Sequence, residues 1–198
     1  TLSRGNMEMM DGAEFYDYYK SFQNVEAVNF PRWNEDLRNS NFDWFKLAKK
    51  TGSTQDYNVT LNGGNEKMQS MFTMGYFKEE GAVKGYDLKR YSTRIKVIYK
   101  PYEWLTIKPN LSGSRTTDTD RQYSVGAMYS MLPWDNPFDE NGNPVPNYYE
   151  GWVNSKGTNY LNDLAAGNYS SSCSYDLSGG FDFDVKINSW LTFSSVNN

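Results

Sequence analysis

The segment from 175 to 187 alternates almost without error. Tyr175, Leu177, Phe181, Phe183, Val185 and Ile187 fall on one parity with Gly179. Asp176, Ser178, Asp182, Asp184 and Lys186 fall on the other with Gly180. A strand sends successive side chains to opposite faces, so one face here is apolar and aromatic and the other is charged. The pattern returns upstream. Tyr57, Val59 and Leu61 alternate with Asn58, Thr60 and Asn62; Met68, Phe72, Met74 and Tyr76 share a parity with Ser70. Thr93, Ile95, Val97 and Tyr99 oppose Arg94, Lys96 and Lys100, and Leu105, Ile107, Pro109 and Leu111 oppose Thr106, Lys108, Asn110 and Ser112. Two architectures satisfy this: an antiparallel sheet over a core, or a barrel wall facing lipid.

Composition leaves both open. Of 198 residues, 38% are hydrophobic but 17% are aromatic, and the mean hydropathy is −0.78. That is poor material for a thick aliphatic core. It suits a thin apolar wall with Tyr and Trp at its rims, and equally a secreted, carbohydrate-binding β-sandwich. A net charge of −4 without a basic cluster argues against nucleic acid. One cysteine and no histidine leave no zinc set, no internal disulfide and no Ser-His-Asp triad. A glycoside hydrolase would need a carboxylate pair in a cleft, and nothing singles one out; no enzyme, cofactor or metal is expected. No run of 18 apolar residues exists to form a membrane helix, which does not bear on barrel strands.

The connections separate the two architectures. Residues 63–66, 101–104 and 188–189 make short turns, whereas 78–89 and 117–170 make long connections, and the two kinds alternate along the chain. Outer-membrane barrels have short turns at one rim and long loops at the other. Before the first strand, Asp11 with Glu14 reads as a capping box opening a helix over 12–22. Pro31 and the Asn-rich stretch 34–41 read as loop, and 43–49 and 123–132 as short helices. The chain opens at Thr1-Leu2-Ser3 and stops at Asn197-Asn198 within an expected strand, which reads as a piece of something longer.

Five phrases, taken in order, resemble SusC/RagA-type TonB-dependent outer-membrane transporters of Bacteroidetes: Met10 to Phe15, Tyr57 to Lys67, Gly75 to Gly81, Lys84 to Tyr91 and Trp104 to Ile107. The resemblance covers most of the chain and is weakest over 117–170. It implies an all-β fold: a partial antiparallel transmembrane β-barrel, about seven strands of a larger one, with long extracellular loops containing short helices. It implies 1–54 as the end of the first barrel strand and a first extracellular loop with short helices, 55–116 as strands with short periplasmic turns, 117–170 as a long extracellular loop and 171–198 as strands. It further implies import of glycans or peptides at the cell outer membrane, a SusD-like surface lipoprotein as lid, and energy from the TonB complex through a plug that this sequence lacks. About seven strands cannot close a barrel, so order is expected only within a larger assembly.

On that topology the apolar parities face lipid. Arg94, Lys96, Lys108, Asp182, Asp184 and Lys186 face the lumen, and Tyr102, Trp104 and Trp190 form an aromatic girdle beside the short turns. In the longest loop Trp134, Phe138, Tyr148, Tyr149 and Trp152 are candidates for contact with cargo or partner, or else pack the loop together. Asp135, Asp139, Glu140 and Asn141 carry oxygens that could hold calcium, though a polar turn fits their spacing better. Asp182 and Asp184 share a face without a reason to act as an acid–base pair.

Overall fold

The computed structural model describes residues 9–22, 34–121, 124–146, 149–154 and 156–197. It divides into two compact units. One comprises 52–80, 87–119 and 171–198; the other comprises 1–51, 81–86 and 120–170.

The first unit is a six-stranded sheet in the order of the chain: β1 (Ser53–Gly64), β2 (Met68–Glu80), β3 (Asp87–Tyr102), β4 (Leu105–Arg121), β5 (Tyr169–Lys186) and β6 (Thr192–Ser195). β1 to β4 and the pair β5–β6 are antiparallel. Contacts Lys108–Asp184, Ser114–Asp176 and Thr117–Cys173 run in opposite senses, so β4 and β5 are antiparallel too. The fold is therefore the expected all-β, partial-barrel-like sheet, with six strands where about seven were anticipated. The strands also run further than their apolar alternation. Lys78, Glu79 and Glu80 continue the ladder against Lys89, Leu88 and Asp87, which shortens the expected 78–89 loop to 81–86. The backbone ladder is indifferent to charged side chains where both faces are solvated.

Turn chemistry fixes the first hairpin. Asn65 Oδ1 accepts the N–H groups of Lys67 and Met68, at 2.9 Å each, and Asn65 N–H donates to Met68 O at 2.6 Å. Gly64, at φ +149°, leaves room for this closure, since a Cβ there would lie 2.1 Å from Met68 O.

The second unit is helical and irregular: α1 (Gly12–Phe22), a 3-10 turn (Glu35–Asn39), α2 (Trp44–Ala48), α3 (Val125–Met128) and α4 (Tyr160–Ala165). The capping box at α1 is formed, with Glu14 N–H donating to Asp11 Oδ1 at 2.8 Å and Asp11 N–H to Glu14 Oε2 at 3.1 Å. Asp43 Oδ1 caps α2 by accepting Lys46 N–H. The 3-10 turn and α4 fall where loop was expected. Leu37 draws the former into the interior. Asn159 starts the latter, its Oδ1 accepting Leu161 N–H. The interior is one cluster of Trp44, Phe45, Ala48, Val83, Met128, Val145, Trp152 and Tyr160, beside a smaller one of Tyr16, Leu37 and Trp134.

Candidate functional site

The sheet carries a banded face. Directly paired residues point to the same side. The registers set Leu61 against Phe72 and Phe72 against Ile95, and Ile95 against Leu111, so the apolar parities of β1 to β4 lie on one face. On β5, Val185 pairs with Phe193, and Gly179 lies against Leu111. These side chains are not covered: Val59 is 58% exposed and Leu177 81%. A sandwich would bury them under a second sheet.

A row of tyrosines bounds the band at one end. Tyr57 pairs with Tyr76 and Tyr76 with Tyr91, with ring centroids 6.3 and 5.1 Å apart. Tyr91 pairs with Arg115, whose guanidinium stands 5.6 Å over the Tyr175 ring. Five adjacent strands thus place an aromatic or Arg115 at one level. Beyond the row the same face holds Lys78, Lys89, Glu80 and Asp87. From the row to the level of Tyr99 and Leu105, the strands place no charged residue on this face.

At the opposite end Tyr102 and Trp104 stack with centroids 5.4 Å apart and planes 7° off parallel, and Trp190 is 81% exposed. Tyr102 would point to the polar face by simple alternation. An irregularity in the ladder between Tyr99 and Tyr102 sets it opposite Leu105, on the apolar face. From Tyr91 to Tyr102 the chain advances 11 positions. At about 3.3 Å per residue and a tilt of about 45°, that spans about 26 Å, close to the apolar band of an outer-membrane barrel.

The other face collects the charges. Arg94 pairs with Ser112 and Lys96 with Asn110. Lys108 Nζ reaches Asp184 Oδ2 at 2.5 Å, and Asp182 Oδ1 accepts Asn197 N–H at 3.1 Å. Lys186 shares the parity of Asp182 and Asp184 and pairs with Thr192. All six charged residues named from the sequence stand on this face. Asp182 and Asp184 are bound to Asn197 and Lys108 rather than to each other.

The helical unit puts its candidates in different places. Trp134 and Trp152 are 5% and 2% exposed. Their indole N–H groups donate to Gly12 O at 2.9 Å and Asn136 O at 2.7 Å. Trp152 also meets Trp44 edge-on at 5.3 Å. Both rings face the unit's interior and offer no open surface to a ligand. Phe138 is half-buried in a bridge to Pro144. Tyr149 is 41% exposed, its ring 6.5 Å from Trp152. Tyr148 lies outside the described residues.

The acidic residues near them serve the backbone. Asp135 is buried and accepts Val153 N–H at 2.7 Å and Asn154 N–H at 3.1 Å. Asp135→Ala leaves both donors without that acceptor, an expected loss of about 1.5–3 kcal/mol from this unit. Faster hydrogen exchange at amides 153 and 154 is the readout. Asp139 accepts N–H groups from Asn141 and Asn143, at 2.9 and 2.8 Å. These bonds, Asn143 first, hold its carboxyl below the usual carboxylate range. The sign follows: the turn is firm above the ordinary carboxylate pKa and loosens as pH falls through the lowered one. Protection factors at amides 141 and 143 should therefore fall in acid, and Asp139→Asn should remove that pH dependence of protection. Among the described residues no cluster of three His, Cys, Asp or Glu could hold a metal.

Solved structures supply a comparison. This chain shares the fold of part of a peptide transporter. Over 94% of its length it superposes on a chain of the RagAB peptide transporter with a TM-score of 0.69 at 23% identity. A second match is the RagAB peptide importer in its closed-closed state, with a TM-score of 0.67 at 23% identity over 94% of this chain. In both cases it spans 24% of the matched chain's length. No family model matches the sequence, and no curated protein matches it.

The tyrosine row was missed from sequence, which identified an aromatic rim only beside the short turns. Its signal was present: each of Tyr57, Tyr76 and Tyr91 ends the apolar parity of its strand. Aligning the strands through the 65–67 turn would have placed the first two level.

Proposed function

We propose that this chain forms part of the wall and external mouth of a TonB-dependent outer-membrane importer of peptides or glycans, of the SusC/RagA type, and that it is not an enzyme. The observation that carries the reading is the apolar face, free of charge between an aromatic row at each end and about as tall as a bilayer core. In this reading that face meets lipid, and Arg94, Lys96, Lys108, Asp182, Asp184 and Lys186 line the water-filled lumen. The long connections lie outside the cell and Tyr102, Trp104 and Trp190 sit at the periplasmic interface. The fold shared with a peptide transporter supports peptide cargo. A lid lipoprotein of the SusD type and the TonB complex are the partners this assignment entails. In this reading further strands complete the wall, because an unpaired strand edge is not tolerated in hydrocarbon.

The test is fractionation of cells expressing the whole gene product, followed by uptake of labelled peptides and oligosaccharides. Recovery from the outer membrane as a chain several times larger than 22.8 kDa, with uptake abolished by a proton uncoupler, is the expected result. A detergent-independent soluble protein of 22.8 kDa would overturn the proposal.

A further inference from the structure

The charges on the apolar face are placed unevenly. Lys78, Lys89 and Arg115 occupy its parity, all at or just beyond the tyrosine row. Lys78 and Lys89 are direct cross-strand partners. Like charges directly opposite each other destabilise a sheet. Glu80 answers Lys78 at 2.6 Å, but Glu80 and Asp87 pair with each other one step further from the row, so the cations are the charges next to the band. Arg115 and Lys89 are exposed, and the Arg115 guanidinium stands over the Tyr175 ring. The order from the band outward is apolar, tyrosine, cation, acid.

From this order we infer that Lys78, Lys89 and Arg115 form a docking surface for the phosphorylated headgroups of the lipid leaflet on the side of the long connections. The inference rests on the membrane reading above. Tyrosine rings belong at the headgroup boundary. A cation one step further out meets headgroup phosphate, and a guanidinium beside two ammonium groups offers forked and point donors to phosphate oxygens. Glu80 is ion-paired to Lys78, which leaves Lys89 and Arg115 as the cations most open to a phosphate.

The experiment uses the whole protein purified in neutral detergent, with lipid A, phosphatidylcholine or inorganic phosphate added in turn. Each cation near an anionic surface contributes about fivefold in affinity, so K78Q/K89Q/R115Q should bind lipid A about 100-fold more weakly than the natural protein. Thermal stabilisation by lipid A should disappear with it and should weaken with salt in the natural protein. Phosphatidylcholine and inorganic phosphate should stabilise neither. Equal lipid A binding by the triple variant overturns the proposal, as does equal stabilisation by inorganic phosphate, which would mark a simple anion site. K89R keeps the charge and should keep binding. If that variant loses binding while folded, charge is not the cause and the proposal also fails. Failure of the membrane reading looks different: a protein needing no detergent at all.

Discussion

Phe181→Arg should sharply reduce the amount of this protein that reaches the membrane folded, whereas Asp182→Arg, one residue along, should leave it nearly unchanged. Phe181 stands on the apolar face, half exposed, six positions from the Tyr175 level and hence near the middle of the band. If that face meets lipid as proposed, an arginine at that depth costs about 2–4 kcal/mol. Asp182 points to the polar face, which on the proposed function lines a water-filled lumen able to solvate either charge. Its loss removes one acceptor for Asn197 N–H, at the short edge strand β6. Urea unfolding of both variants in lipid vesicles measures the difference. Equal destabilisation by the two would reverse or abolish the assignment of faces.

A larger loss is expected from Trp152→Ala, and in a different part of the molecule. Trp152 is 2% exposed, meets Trp44 and Tyr149 and donates to Asn136 O. Truncating a buried tryptophan costs about 3–5 kcal/mol, an amount comparable to the whole stability of a unit this small. Limited proteolysis should then cut within 120–170 while the sheet keeps its membrane yield. Loss of both together would show that the sheet depends on the loop unit for its folding.

The sheet was legible because its period is two and its faces differ in chemistry. Parity alone grouped Tyr57, Phe72, Ile95 and Phe183 correctly, and the turn at Asn65 supplied one register. The strand ends were not legible, because Lys78 to Glu80 extend a ladder that no burial pattern marks. The Tyr102 face was reached by its place beside a turn rather than by its parity, which the ladder irregularity reverses. In the loop unit Asp11 and Glu14 announced α1, but α4 was passed over, although Asn159 stands before Tyr160, Leu161 and Leu164 at helical spacing. There the apolar residues pack against segments distant in sequence, so no local period governs the whole stretch. The loop aromatics carried two readings from sequence. The structure places Trp134 and Trp152 inside, a distinction that only three-dimensional neighbours provide.

The hydroxyl of Tyr160 donates to the carbonyl of Trp44, 116 residues earlier, and Trp134 donates to Gly12, 122 residues earlier. Val83, in the same core, comes from the short link between β2 and β3. A unit assembled from three segments separated by strands has almost no local nucleus, and its loop-closure entropy is large until those strands have paired. Hairpin pairing of β1 to β4 shortens the effective loops between the segments and removes most of that cost. The helical unit should consequently be the last part of this chain to become resistant to proteases during assembly, and its maturation would serve as a clock for the completion of the strands that carry it.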